Sequence, residues 1–187
     1  MDLKGERFIP QPRESVWQAL NDIEVLKNSI PGCEEISWSG DNAIDATVKA
    51  KVGPVKATFK GAVTLEDINA PESYTIKGQG KGGAAGFAKG SAHVVLSEED
   101  GGTRLKYTVD ATVGGKLAQV GSRLIQGTAN KLSGEFFDAL TLQLGGEVTN
   151  PDNDKNDDDA KFTSLPTHIW AGGIISFVVL TIWYFAK

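Results

Sequence analysis

Hydrophobic and polar residues alternate along the middle of the chain with the period of two that is typical of β-strands. Between positions 44 and 52, apolar residues alternate with Asp, Thr and Lys, and a second alternating run covers 55–65. Gly53-Pro54 separates the two runs, which together predict a β-hairpin. Because one face of each run is apolar, we expect an antiparallel sheet that is covered on one side. Three further strands are predicted at 74–78, 88–96 and 103–113.

A spacing of three and four residues replaces this alternation between Gly114 and Gly146 and predicts one long helix over the whole stretch. Three glycines interrupt it, at positions 121, 127 and 134. Each costs about 1 kcal/mol relative to alanine inside a helix. Because Gly121 lies on the apolar face, a side chain is missing where the helix should fill the core, which predicts a cavity. The apolar face is predicted to consist of Leu117, Val120, Leu124, Thr128, Leu132, Phe136 and Leu140.

The first 32 residues predict a strand and two short helices. The strand candidate covers residues 3–9, and Pro12 opens a helical pattern that continues to Leu20. A second helix starts after Asn21 or Asp22 and ends at residues 30–32. The whole order predicts an α+β domain, in which a curved antiparallel sheet wraps around a long C-terminal helix, with two short helices after the first strand.

Small residues on the inward face of the predicted sheet support the cavity. Protein interiors are close-packed, so small residues on both the sheet and the helix imply either close approach or a void. A strongly curved sheet cannot follow a straight helix along its whole length. We therefore expect an apolar cavity that suits a hydrophobic ligand, with tight helix–sheet contact as the alternative. The small residues are Ala46, Ala50, Ala57, Gly61, Gly78, Ala88, Gly90, Ala92 and Ala111.

The end of the chain predicts attachment to a membrane. Residues 147–167 are acidic and polar and predict a disordered linker. The run from Ile169 to Phe185 is free of charge, and as a helix it would be about 26 Å long, at the short end of what spans a bilayer. Trp170 and Trp183 stand where interfacial aromatic residues are found. We expect residues 168–187 to anchor the domain at the cytoplasmic membrane with its body in the cytoplasm. A buried soluble helix is the alternative.

Charge and composition argue against several functions. The formal net charge of −5 disfavours nucleic acid as a partner. A single Cys33 and two distant histidines cannot form a zinc site. The glycine-rich segment 77–90 does not lie between a strand and a helix, as a dinucleotide site requires, and is expected to be a mobile loop. His93 and Asp110 are expected to face outward, and Glu135 could serve acid–base chemistry only if buried. We therefore expect no catalytic residues, no metal and no bound cofactor.

Four lysines on the outer face of the predicted hairpin allow two interpretations. They are either a solvated surface or a docking patch for an anionic surface. The lysines are Lys49, Lys51, Lys56 and Lys60.

The order of elements resembles the START/SRPBCC helix-grip superfamily of hydrophobic-ligand binders. Within it, SIPGCEEI (29–36), AKGSAHVVL (88–96) and GGKLAQVGSRLI (114–125) are similar to the CoxG family of carbon monoxide dehydrogenase subunits, and the resemblance covers residues 1–146. It implies an accessory protein that tethers a molybdenum-containing dehydrogenase to the cytoplasmic membrane and carries a respiratory quinone, either menaquinone or ubiquinone. The family name does not fix which molybdenum hydroxylase is served.

The combined hypothesis is a membrane-tethered carrier that takes up a quinone between sheet and helix. Tyr107 is the expected polar contact for a quinone carbonyl, because its hydroxyl can donate a hydrogen bond from an otherwise apolar wall. Two alternatives stay open: a ligand-free scaffold that docks the dehydrogenase through the basic sheet face, and a small cyclase or hydrolase of the same fold. The predicted sheet-side walls are Phe59, Gly61, Ile76, Gly78, Ala92, Tyr107, Val109 and Ala111, and the predicted helix-side walls are Leu117, Val120, Gly121 and Leu124.

Overall fold

A seven-stranded antiparallel sheet forms the body of the domain in the computed structural model, which describes residues 2–146. The strands are β1 (Asp2–Ile9), β2 (Cys33–Gly40), β3 (Ala43–Val52), β4 (Val55–Asn69), β5 (Ser73–Lys81), β6 (Phe87–Glu99) and β7 (Gly102–Gly114). Their spatial order is β1-β7-β6-β5-β4-β3-β2, so β1 and β2 form the two edges. The predicted antiparallel sheet is confirmed, and the Gly53-Pro54 hairpin pairs β3 with β4 as expected.

Helices cover the concave face of this sheet. They are α1 (Arg13–Leu20), α2 (Ile23–Ser29), α3 (Lys116–Gln119) and α4 (Ser122–Gln143), and a 3-10 turn occupies Gly83–Ala85. The 22-residue α4 packs mainly against α2 and touches the edge strand β1 at few positions. The predicted α+β helix-grip architecture is confirmed for the described residues.

The two short helices begin where the sequence predicts. Pro12 directly precedes α1. The Asp22 carboxylate accepts hydrogen bonds from the backbone N–H groups of Glu24 and Val25, at 2.8 and 3.1 Å. These bonds satisfy donors that have no partner inside α2, which is the usual reason for Asp at this position. Ile30 ends the helix in an extended conformation, ahead of Pro31.

The prediction of one continuous helix from Gly114 to Gly146 is wrong at the beginning of this stretch. Gly121 adopts a φ of +89° and separates the single turn of α3 from α4. Because a left-handed residue cannot continue a right-handed helix, the register of the apolar face changes at this point. Leu124 is 43% exposed and Thr128 is half-buried, while Ile125 and Ala129 are buried in their place. From Leu132 onward the predicted face is correct, since Leu132, Phe136 and Leu140 are buried.

The sequence pattern did not predict β2. Its burial does not alternate, and its pairing with β3 shifts at two irregular positions, Cys33/Glu35 and Trp38/Gly40. An irregular edge strand with mostly exposed side chains lacks the period that identified the others.

The described residues contain no helix that combines the length and the apolar content needed to cross a membrane. The predicted linker (147–167) and the predicted anchor (168–187) lie outside the described residues, and both stay predictions.

Candidate ligand-binding cavity

A cavity of about 140 Å³ lies between the concave face of the sheet and α4. Its walls are almost entirely apolar. Val52, Val94 and Leu105 line it from the sheet, and Ile125 and Phe136 line it from α4. Apolar walls of this kind favour a hydrophobic ligand over water.

The volume limits what the cavity can enclose. An engineered apolar cavity of about 150 Å³ is sufficient to bind benzene. A cavity of about 140 Å³ therefore holds one six-membered ring and leaves no room for a long chain attached to it. A ligand with such a chain must extend through an opening.

The opening lies between α4 and β1. Asn130 lines the cavity and is exposed, so the cavity reaches the surface at this residue. Leu3 and Ser133 line it as well, and both are half-buried. Leu3 also packs against Ala129 and Leu132 of α4 next to this point. Farther along the same boundary, the Arg7 guanidinium bonds the Asp138 carboxylate.

Two tyrosines lie in one row across the inner face of the sheet. Tyr74 on β5 is opposite Val94 on β6, which is opposite Tyr107 on β7, which is opposite Gly5 on β1. Both tyrosines line the cavity. The row brings two phenol groups to a wall that otherwise offers few hydrogen-bond donors.

The two phenols differ in their surroundings. Tyr74 is 4% exposed and packs edge-on against Trp17, with ring centroids 5.2 Å apart. Burial raises the pKa of the Tyr74 phenol, so this hydroxyl stays protonated and can donate a hydrogen bond. The Tyr107 ring packs on Phe137 at 5.8 Å. A Cβ atom at Gly5 would lie 2.3 Å from its hydroxyl oxygen, so that hydroxyl lies over β1, on the side of the opening.

Five of the twelve predicted wall residues line the cavity: Ile76, Ala92, Tyr107, Val109 and Ala111. Whether they bind a ligand stays a prediction. Seven do not line it, namely Phe59, Gly61, Gly78, Leu117, Val120, Gly121 and Leu124.

These seven residues lie elsewhere for identifiable reasons. Gly61 and Gly78 have no side chain to reach the cavity, and their neighbours Val63 and Ile76 form the wall instead. Phe59 is buried under Gly82, since a Cβ atom there would lie 2.3 Å from its ring. Leu117 is fully buried in α3, and Val120 follows it at the end of that helix. Gly121 and Leu124 belong to the exposed start of α4.

The wall residues that sequence reasoning missed lie on both the helices and the strands. On α4 the true series starts at Ile125 and continues with Ala129, so counting in threes and fours from Ile125 would have found it. Tyr74 was available from the same alternation that indicated Ile76. Further missed lining residues are Leu20 on α1, Leu26 on α2, Ile30 directly after α2 and Ile36 on β2, together with strand residues such as Val52, Val94 and Leu105.

The candidate acid–base groups do not reach the cavity. Asp110 and His93 are exposed on the outer face, where the His93 ring lies 3.3 Å from the Thr75 hydroxyl. Glu135 forms an ion pair with Lys131 at 3.7 Å. In the described part of the chain, the groups that line the cavity include no carboxylate, histidine, lysine, arginine or cysteine. Among those same residues no cluster of His, Cys, Asp and Glu could hold a metal ion.

Comparisons with known proteins agree with this architecture. Residues 5–145 match the CoxG family of carbon monoxide dehydrogenase subunits. A conserved protein from Geobacillus kaustophilus is similar at 29% identity and a TM-score of 0.74, with 78% of this chain and 95% of that chain covered.

Two more distant solved structures share the fold. A protein from Rhizobium leguminosarum has 18% identity and a TM-score of 0.60, covering 78% of this chain and 94% of its own. The Zhui aromatase/cyclase from Streptomyces sp. R1128 has 14% identity and a TM-score of 0.59, covering 78% and 93%. No curated protein matches the chain significantly.

Proposed function

The chain belongs to the CoxG family of carbon monoxide dehydrogenase subunits, and we propose that it is an accessory protein that carries a respiratory quinone between the membrane and a molybdenum-containing dehydrogenase. The observation that supports the proposal is the apolar cavity under α4, which reaches the surface at Asn130. The aerobic carbon monoxide dehydrogenase is the partner that the family description suggests.

The dimensions of the cavity suit the head group of a quinone. The single ring of a benzoquinone such as ubiquinone fits a volume of about 140 Å³, and its isoprenoid chain would leave through the opening beside α4. The two fused rings of menaquinone would require the cavity to widen. The Tyr74 phenol is protonated and faces the same cavity, so it is a candidate donor to a quinone carbonyl. The Tyr107 hydroxyl, nearer to β1, is a second candidate donor at the mouth.

Tethering would complete the transfer. In the proposal, residues 168–187 hold the domain at the cytoplasmic membrane and residues 147–167 let it reach a soluble dehydrogenase. A tether raises the local concentration of the domain at both sites, so moderate affinity for each would be sufficient.

Mass spectrometry of organic extracts tests the cargo. The full chain is purified in mild detergent from its native host, and quinone is measured per mole of protein. Ala129→Leu and Ala92→Leu each add three heavy atoms inside the cavity. We expect near-stoichiometric menaquinone or ubiquinone in the unmodified protein and loss of it in both variants.

Ala118→Leu is the matched control, because Ala118 is exposed on α3 and makes the same change in size outside the cavity. Thermal unfolding of all variants checks that the domain remains folded. Equal quinone content in the control and in the two cavity variants would mean that the quinone comes from the detergent micelle, and the carrier proposal would fail.

The composition of the walls favours a carrier over an enzyme of the same fold. Cyclases and hydrolases require a general acid or base in reach of the substrate. Among the described residues, the titratable side chains in the cavity walls are Tyr74 and Tyr107. A ligand-free scaffold is the second candidate, and exposed lysines on β3 and β4 favour it. A scaffold would lose recruitment of the dehydrogenase on charge reversal at Lys49, Lys51 and Lys56, and it would bind no quinone.

A further inference from the structure

Positive charge concentrates at one end of the sheet. The β3–β4 turn, the β5–β6 turn and the β7–α3 connection lie at the same end, because all neighbouring strands are antiparallel. Segments 49–60, 79–91 and 112–127 meet there, and we call them the basic end. They contain eight Lys and Arg residues and no Asp or Glu. The start of β2 brings Glu34 and Glu35 to the same end, where Glu34 pairs with Lys49 at 2.7 Å. The turns at the opposite end, 41–42, 66–72 and 98–101, contain seven acidic residues and no Lys or Arg.

The basic end contains like charges in direct opposition. Lys51 on β3 is paired in register with Lys56 on β4. Directly opposed like charges destabilise an antiparallel pair. Lys51, Lys56, Lys116 and Arg123 form no ion pair with any residue between 2 and 146. An external anion would relieve the repulsion that the fold maintains here.

Large apolar side chains protrude among these cations. Phe87 is 44% exposed, and Leu124 is 43% exposed. Phe87 is paired in register with Lys81, and its ring covers Gly114. Leu124 covers the backbone of Gly53 at the β3–β4 turn, since a Cβ atom there would lie 2.4 Å from its methyl group. The two side chains therefore project from different sides of the same end.

We propose that the basic end docks on an anionic lipid bilayer, with the lysines at the headgroups and with Phe87 and Leu124 inserted between them. Cationic residues near an anionic membrane surface each contribute about 1 kcal/mol, and apolar side chains add burial at the headgroup boundary. A protein partner would more readily match a flat apolar patch. Separate apolar tips ringed by lysines suit a surface that can deform around them.

The chain beyond α4 permits this orientation. α4 runs over about 33 Å from the basic end to the opposite end of the sheet, so the described chain ends at the far end of the domain. Residues 147–167 can span at most roughly 70 Å when fully extended. Both the proposed anchor and the basic end can therefore contact one membrane. The docking proposal does not depend on the cargo of the cavity.

Lysine acetylation footprinting of the full chain tests the proposal. The chain is bound to vesicles of phosphatidylcholine alone or of phosphatidylcholine with phosphatidylglycerol, and the acetylation rate of each lysine is measured by mass spectrometry. We expect Lys51, Lys56 and Lys116 to be protected on the anionic vesicles relative to the neutral ones. Lys106 and Lys131, outside the basic end, are expected to react equally on both.

Variants separate charge from insertion. The double variant K56Q/K116Q should weaken protection of Lys51 about fivefold per charge removed. The control K4Q/K106Q removes the same charge from the sheet outside the basic end and should leave it unchanged. F87S and L124S should each reduce protection without changing the fold, as checked by circular dichroism.

Three outcomes would overturn the proposal. One is equal protection on neutral and anionic vesicles, which would reflect proximity to any membrane surface. Another is no protection on either. The third is protection that appears only when the purified molybdenum dehydrogenase is added, which would assign the basic end to a protein partner. Quinone content is not measured in this experiment, so its result is independent of the carrier proposal.

Discussion

The Arg7 guanidinium bonds the Asp138 carboxylate and thereby joins the edge strand β1 to α4 across 131 positions of sequence. The pair lies along the boundary at which the cavity opens near Asn130. The two side chains are 19% and 37% exposed, so solvent screens the pair and its contribution to the free energy of unfolding is modest. Because the pair joins the two elements at this boundary, we expect it to affect how easily α4 and β1 separate.

We predict that Asp138→Asn accelerates ligand release more than it destabilises the domain. The free energy of unfolding should fall by less than about 1 kcal/mol, as for partly exposed ion pairs in general. Stopped-flow release of a bound apolar dye into excess lipid should become faster, because the ion pair between β1 and α4 is lost. Glu99→Gln is the control, since it removes an ion pair with Arg104 outside this boundary. An unchanged release rate in Asp138→Asn would show that the ligand leaves by another route.

We expect the packing of the Tyr107 ring to require glycine at position 5. A Cβ atom at Gly5 would lie 2.3 Å from the phenol oxygen and 2.5 Å from the adjoining ring carbon. Gly5→Ala should therefore lower the free energy of unfolding by about 1–3 kcal/mol, the usual cost of overpacking. Denaturant unfolding measures this, with Gly40→Ala as control, because a Cβ atom there would meet Ala43 at an ordinary 3.6 Å. The double variant Gly5→Ala/Tyr107→Leu should recover part of the loss, and strict additivity would contradict the contact.

The alternation of apolar and polar residues predicted the sheet and the residues on its inner face, because each strand from β3 to β7 has one apolar side. Residues such as Ile76, Ala92 and Val109 must face the core if their neighbours face water, and all three line the cavity. The irregular edge strand β2 has no such constraint and was missed.

The prediction of the helix-side wall residues failed for a local reason. Gly121 could be counted as a helical residue in the sequence, but its left-handed φ ends one helix and starts another. A shift of one residue rotates a helical face by about 100°, which moves the wall from Leu124 to Ile125. The opening beside Asn130 depends on how closely α4 approaches β1, a tertiary distance that no local pattern encodes.

Replacement by alanine should therefore change the stability of the domain in opposite directions at Gly121 and Gly127. At Gly121 the φ of +89° makes any side chain strained, although no atom lies within 4 Å of the added Cβ. Gly127 lies inside α4 with equally open space and an ordinary helical conformation. We expect Gly121→Ala to destabilise the domain by about 1 kcal/mol and Gly127→Ala to stabilise it by about 0.5–1 kcal/mol in denaturant unfolding. Stabilisation by Gly121→Ala would mean that the α3–α4 break is not present in solution.

Tyr74 should make the stability of the domain sensitive to alkaline pH. Burial raises the pKa of its phenol above the value of about 10 for an unfolded chain. The stabilisation that depends on the protonated phenol is complete below pH 10 and is lost as the pH rises from 10 toward the folded-state pKa, because only the unfolded chain ionises in that range. The difference in unfolding free energy between the unmodified protein and Tyr74→Phe should fall by about 1.4 kcal/mol per pH unit above 10. Denaturant titrations from pH 9 upward measure it, and tyrosinate absorbance of Tyr74 should appear only together with loss of the circular dichroism signal. Parallel stability curves for the two proteins would show that the phenol is solvated, and Tyr74 would then no longer be a candidate donor inside the cavity.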